Sequence, residues 1–236
     1  MSPIVKICGL STAPTLEAAL EAGADMVGFV FFERSPRFVG LDHARELAAS
    51  ARGRARIVAL SVDAPDRTLA AIVARLEPDL LQLHGAESPA RVAEIKGQFG
   101  VPVMKALGVA EAPDFDKARQ YEGVADWLLI DAKPPRNATR PGGNGAPFDW
   151  RLARGFAPPG SWLLSGGLDA ANVGEAIALS GARGVDVSSG VERAPGAKDI
   201  GRITAFVAAA RAGFAKADAA GATSAPADPA PRRSLA

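Results

Sequence analysis

Eight short apolar runs, each followed by a longer segment of helical period, place the tightest limit on what this chain can fold into. Strands are predicted over Ile4–Cys8, Met26–Phe32, Arg56–Val62, Leu80–His84, Pro102–Leu107, Trp127–Asp131, Trp162–Ser165 and Gly184–Ser188. The first five are followed by predicted helices near Thr12–Glu21, Asp42–Ala51, Asp66–Arg75, Ser88–Gln98 and Asp114–Tyr121. After the sixth comes a long Gly/Pro loop with a short helix near Trp150–Gly155, then helices near Ala170–Ser180 and over Ile200–Lys216. Strand–helix repetition implies parallel βαβ units with right-handed crossovers. Most of the strands are apolar on both faces, as parallel strands covered by helices must be. Eight units in about 216 residues match a single (β/α)8 barrel, a fold that typically takes about 250. A doubly wound open sheet is the alternative, but no GxGxxG follows the first strand and the Gly pairs come late.

The chain is expected to form a barrel domain over residues 1–215 and a disordered tail over 216–236. The tail is rich in Ala and Pro and almost free of large apolar side chains, so it cannot bury enough surface to offset its ordering entropy. Elsewhere the composition is globular, with 48% hydrophobic and 22% charged residues. Lys plus Arg total 27 against 26 Asp plus Glu. That balance gives no electrostatic ground for a nucleic-acid or membrane partner. One cysteine cannot close an internal disulfide, and two histidines leave no Cys/His zinc cluster. No apolar run reaches about 18 residues, and MSPIVKICGL lacks a basic segment leading into a long apolar one. A cytoplasmic setting is therefore expected.

In such a barrel, function gathers where the strands end at their C-termini. Five of the eight predicted strand ends carry polar or nucleophilic groups beside a tight turn: Lys6-Ile7-Cys8-Gly9, Gln82-Leu83-His84-Gly85, Ile130-Asp131-Ala132-Lys133, Ser165-Gly166-Gly167 and Ser188-Ser189-Gly190. Gly166, Gly167, Ser188, Ser189 and Gly190 follow the last two strands, where this fold usually binds phosphate on backbone N–H groups. Read singly, each turn is equally a plain glycine turn. Cys8 is either a small buried hydrophobe or a reactive thiol. Lys6 shares its strand face by the period of two, and a nearby ammonium is expected to lower the thiol pKa. Asp131 ends an apolar strand, a costly place for an acid without a partner or a task. As base and acid, Cys8 and Asp131 can face one bound molecule from two directions. Arg37, on the loop after the second strand, can take a carboxylate or stay in solvent. His84 can touch a ligand or bond a neighbouring carbonyl. Asp186 reads as less promising because it lies inside its strand, and Asp63 as a weaker site residue or a helix start.

Taken together, VKICGL, ADMVGFVFFERSPRFV, LLQLHG, LLIDAK, GGNGAPFDW, LLSGGLDAANV and GVDVSSGVE…PGAKD, in this order, resemble the phosphoribosylanthranilate isomerase family over about residues 4–212. The resemblance implies a (β/α)8 fold and an Amadori rearrangement in tryptophan biosynthesis, without cofactor or metal. It implies Cys8 as the general base at C2 and Asp131 as the general acid at the ring oxygen. Arg37 would hold the anthranilate carboxylate; Gly166, Gly167, Ser189 and Gly190 would hold the phosphate. The expected partner is a small phosphosugar–anthranilate substrate, bound by a monomer or homodimer. One departure is Asn144, in Gly142-Gly143-Asn144-Gly145, where relatives usually carry Thr. The rivals are a histidine-pathway aminoaldose isomerase, whose family uses two Asp residues where this chain has Cys8, and a non-catalytic phosphate-ligand binder.

Overall fold

The computed structural model describes residues 2–133 and 148–223. Asn144 and its neighbouring glycines lie outside the described residues. Strands and helices alternate as the pattern predicts: β1 (Ile4–Cys8), α1 (Ala13–Glu21), β2 (Met26–Val30), α2 (Leu41–Ala51), β3 (Arg56–Ser61), α3 (Asp66–Leu76), β4 (Leu80–Leu83) and α4 (Pro89–Phe99). The series continues with β5 (Val103–Val109), α5 (Pro113–Arg119) and β6 (Trp127–Ala132). A single 3-10 turn, Trp150–Ala153, precedes β7 (Ser161–Leu164), α6 (Val173–Ser180) and β8 (Gly184–Val187). All eight strands close into one parallel barrel, β1 pairing with both β2 and β8.

Two differences from the sequence-based expectation stand out. After β8 the chain makes a 3-10 turn at Ser189–Val191 and then a small hairpin, β9 (Glu192–Ala194) and β10 (Ala197–Lys198). The hairpin turns at Gly196 with φ +82, and a Cβ there would collide with the Pro36 carbonyl on the loop after β2. The final helix, α7 (Ile200–Thr223), runs past Lys216 into the segment expected to be disordered from residue 216. Its ADAAGAT sequence has enough alanine to carry the helix on, and Arg183 reaches Asp218 from the barrel side.

Strand alternation sorts the side chains into two shells. Met26, Val58, Leu80, Met104, Ala106, Leu129 and Leu163 fill the barrel interior. A larger apolar layer, including Val5, Ile7, Val27, Phe29 and Phe206, packs between the barrel and its helices. The interior changes character toward the C-terminal rim. Two residues beyond the apolar filling on the same faces come Gln82, Asp131 and Ser165, joined there by Lys6, Cys8 and Asp186.

At the opposite end a repeated device anchors the strands. Asp25, Asp79 and Asp126 each immediately precede an even-numbered strand. Each accepts a hydrogen bond from a backbone N–H of the neighbouring odd strand: Val5 at 2.6 Å, Ile57 at 2.7 Å and Val103 at 2.9 Å. Parallel strands starting beside one another leave such N–H groups without ladder partners, and a carboxylate satisfies them.

Candidate active site

The β1 end combines three charged or ionisable groups in a space almost closed to water. Lys6 is fully buried and donates from Nζ to Asp186 Oδ1 on β8 at 2.6 Å. Ser165, at the end of β7, donates to the other carboxylate oxygen at 3.0 Å. Cys8 is 4% exposed and sits opposite Gly28. A Cβ at Gly28 would lie 3.0 Å from the Cys8 Sγ and 3.4 Å from the Lys6 Nζ, so the missing side chain leaves room for both. Burial pushes the Cys8 thiol upward from 9.0; the Lys6 and Lys198 charges pull it down, and Asp186 adds to the rise. The net direction is up. This corrects the expectation of a thiol lowered by Lys6: the ammonium acts as predicted, but desolvation outweighs it and Asp186 offsets its charge. Burial likewise opposes the Lys6 ammonium, yet Asp186 and Cys8 leave its pKa raised.

Asp131, on β6, is 6% exposed. Its Oδ1 accepts from the Ala132 N–H at 2.9 Å, and its Oδ2 lies 3.3 Å from His84 Nε2. His84 Nδ1 in turn lies 3.1 Å from Gln82 Nε2. His84 therefore bonds a carboxylate and an amide side chain, neither being the neighbouring carbonyl weighed above.

The turns after β7 and β8 meet. Gly166 has φ +90, and a Cβ on it would press on the Ala132 backbone N–H at 2.5 Å, so this turn packs directly against the strand end bearing Asp131. Gly167 also has positive φ, at +67. A Cβ at Gly190 would overlap the Leu168 carbonyl, which joins the two glycine turns at one spot. Ser188 bonds back across the barrel closure, its Oγ donating to the Cys8 carbonyl at 3.1 Å. Gly166, Gly167, Ser188, Ser189 and Gly190 are all half-buried, as amides open to a small ligand must be.

Arg37 is 4% exposed, not a solvent-facing loop residue. Its aliphatic stem covers Gly9, whose φ of +78 and lack of a Cβ both matter, since a Cβ would stand 2.7 Å from Arg37 Cδ. Its Nε and Nη2 donate to the two carboxylate oxygens of Glu192 at 2.6 and 2.9 Å. Lys198 donates to the same Oε1 at 2.8 Å and also to the Ser188 carbonyl at 2.8 Å. Burial holds the Lys198 ammonium down to about 8 against the pull of Glu192. The unpredicted hairpin thus carries the residues that tie the Arg37 loop to the turn after β8.

Asp63 stands apart from these groups. With φ +46 it accepts from the Ala86 N–H at 2.7 Å and stitches the loop after β3 to the loop after β4. Glu192 and Lys198 are polar residues that sequence reasoning did not single out; Gln82 and Ser165 were noted only as strand-end groups, and Asp186 was rated less promising for lying inside its strand. Asp186 was recoverable, since it lies two residues before Ser188 and so shares its strand face.

Known proteins with this geometry point one way. The family model described as N-(5'-phosphoribosyl)anthranilate isomerase matches residues 5–209. The N-(5'-phosphoribosyl)anthranilate isomerase of Nitrobacter hamburgensis is 59% identical over 212 residues, covering 90% of this chain and 94% of the relative. The phosphoribosyl anthranilate isomerase of Thermotoga maritima superposes with a TM-score of 0.80 at 33% identity, over 90% of this chain and all of the other. A further isomerase structure, in complex with reduced 1-(o-carboxyphenylamino)-1-deoxyribulose 5-phosphate, has a TM-score of 0.75 at 30% identity, again over 90% of this chain and all of the other. With so much of its length matched at that identity, the chain belongs to the N-(5'-phosphoribosyl)anthranilate isomerase family.

Proposed function

We propose that this chain converts N-(5'-phosphoribosyl)anthranilate to 1-(2-carboxyphenylamino)-1-deoxyribulose 5-phosphate by general acid–base catalysis, in a cytoplasmic tryptophan pathway. The observation that carries this reading is the placing of Cys8 and Asp131: both are buried on inward faces at the C-terminal rim, on β1 and β6 of one barrel. The Asp131 carboxyl group protonates the furanose ring oxygen, the C1–O bond breaks, and the anilino nitrogen lone pair forms a cationic C1=N bond. That cation acidifies C2–H. The Cys8 thiolate takes the proton, and the C–H electron pair becomes the C1=C2 bond of an enolamine with a neutral nitrogen. Loss of a proton from the C2 hydroxyl and gain of one at C1 give the ketose and reset both groups.

The joined turns at Gly166, Gly167, Ser188, Ser189 and Gly190 serve as the phosphate seat. Arg37 faces the anthranilate carboxylate, oriented by the fork it already shares with Glu192. Lys6 holds positive charge beside Cys8 and so favours its thiolate. Replacing Cys8 by Ala or Asp131 by Asn is expected to lower kcat by roughly 10²–10⁴-fold, more if the two groups act as a unit. The test is complementation of a tryptophan auxotroph lacking this step, with Cys8→Ala as control, and a direct assay of the purified protein. Growth on Cys8→Ala equal to that on the unaltered chain would remove the thiol from the mechanism.

A further inference from the structure

Where the turns after β7 and β8 meet, the backbone N–H groups of Gly166, Gly167, Ser189 and Gly190 have no acceptor among the described residues. All four residues are half-buried, so these donors are matched by neither the chain nor open solvent. A side chain from the hairpin sets the direction of one of them. Lys198, on β10, is buried, and its Nζ donates to the Ser188 carbonyl oxygen at 2.8 Å, to Ser188 Oγ at 3.2 Å and to Glu192 Oε1 at 2.8 Å. An ammonium has three N–H donors, so all of them are spent on the chain and none is left for a ligand.

The contact with the Ser188 carbonyl has a geometrical consequence. In a trans peptide the C=O of one residue and the N–H of the next lie in one plane and point in opposite directions. Lys198 holds the Ser188 carbonyl toward the hairpin, joined by the Val191 N–H at 3.4 Å, and the Ser189 N–H is thereby turned away from the hairpin. The Ser188 hydroxyl accepts from Lys198 and donates to the Cys8 carbonyl at 3.1 Å, so rolling this peptide over would break contacts with two elements. We propose that Lys198 is a positioning residue for the phosphate group of the substrate: it pins the Ser188 carbonyl so that the Ser189 N–H stays aimed at the phosphate seat, and makes no bond to the phosphate itself. Its reach differs from that of Glu192. Removing the ammonium leaves both bonds between Arg37 and Glu192 in place, so the loss falls on the phosphate end alone.

This role rests on the reading of the two turns as a phosphate seat, and binding measurements separate the two. Binding is read rather than turnover because the Lys198 charge also acts on the Cys8 thiol. Inorganic phosphate and anthranilate are titrated separately into the purified chain by calorimetry. In Lys198→Met, whose apolar stem fills the same buried space, phosphate affinity is expected to fall about tenfold or more, as for loss of a charged hydrogen bond, with anthranilate affinity unchanged. Equal phosphate affinity in the two proteins would overturn the proposal. So would a parallel loss of both affinities, which would make Lys198 a brace for the fold. Should the variant not fold, nitrogen–proton NMR of the unaltered chain decides: saturating phosphate is expected to move the Ser189 amide proton downfield. A Ser189 signal that stays put while phosphate binds would refute the aiming of that N–H. An unaltered chain that takes up no inorganic phosphate would defeat the seat itself, and this proposal with it.

Discussion

At the Cys8 thiol two opposed effects act within one strand turn, and their balance has a kinetic consequence. Burial raises the thiol, while Lys6 and Lys198 lower it by less. A base works deprotonated, so a raised thiol moves the productive form to higher pH. Between about pH 6 and pH 8, kcat/KM is expected to climb toward tenfold per unit, following the thiolate fraction. Above about 8 the climb should be shallower, because Lys198 sheds its charge there and its help to the thiolate ends. A pH–rate profile that is flat or descending over that interval would show that the Cys8 proton does not govern the reaction. Cys8, Asp131 and the glycine turns were legible in the sequence because each stands at a strand end, where a polar residue is conspicuous. The partners of Asp186 and Glu192 were not, because they lie far along the chain. Lys6 and Asp186 are 180 residues apart, Arg37 and Glu192 155 apart, and only closure of the barrel brings them together.

The eight strands of the barrel were legible to within two residues at each end, since a run such as Trp-Leu-Leu-Ile is apolar on both faces. The hairpin β9–β10 was hidden for the converse reason. Its two strands span only three and two residues, too short for any periodicity to register. What holds it is charge: Glu192 accepts from both Arg37 and Lys198, and all three side chains are at most 5% exposed. Truncating Glu192 to Ala removes the carboxylate that two buried cations share, a loss of roughly 3–5 kcal/mol by the measure of broken buried pairs. The same change frees the Arg37 loop and, through Lys198, the Ser188 turn. Glu192→Ala is therefore expected to lower the denaturant midpoint and to raise KM together, because one carboxylate orders both ends of the proposed ligand seat. Urea titration read beside steady-state kinetics checks it; a destabilised variant with unchanged KM would mean that the hairpin braces the fold without ordering the site.

Across the whole molecule the two rims of the barrel divide the work. The C-terminal rim concentrates buried ionisable groups, and each of them costs desolvation unless it is paired. The N-terminal rim carries Asp25, Asp79 and Asp126, which satisfy backbone donors at alternate strand starts and touch none of the groups proposed for catalysis. If that division holds, a change at the lower rim should move stability alone. In Asp79→Ala the Ile57 N–H loses a charged acceptor at 2.7 Å that is only partly screened from water. The cost is put at ~1–2 kcal/mol, below that of a fully buried charged hydrogen bond. For a single domain of this size a loss of that order shifts Tm by several degrees, which calorimetry resolves. The companion expectation is that kcat and KM at a temperature well below the transition stay at their wild-type values. Such a result would separate the two rims energetically. A kcat reduced along with Tm would instead show that the strand starts transmit to the catalytic end, through the tightly packed Met26, Val58 and Leu129 layer that lies between them.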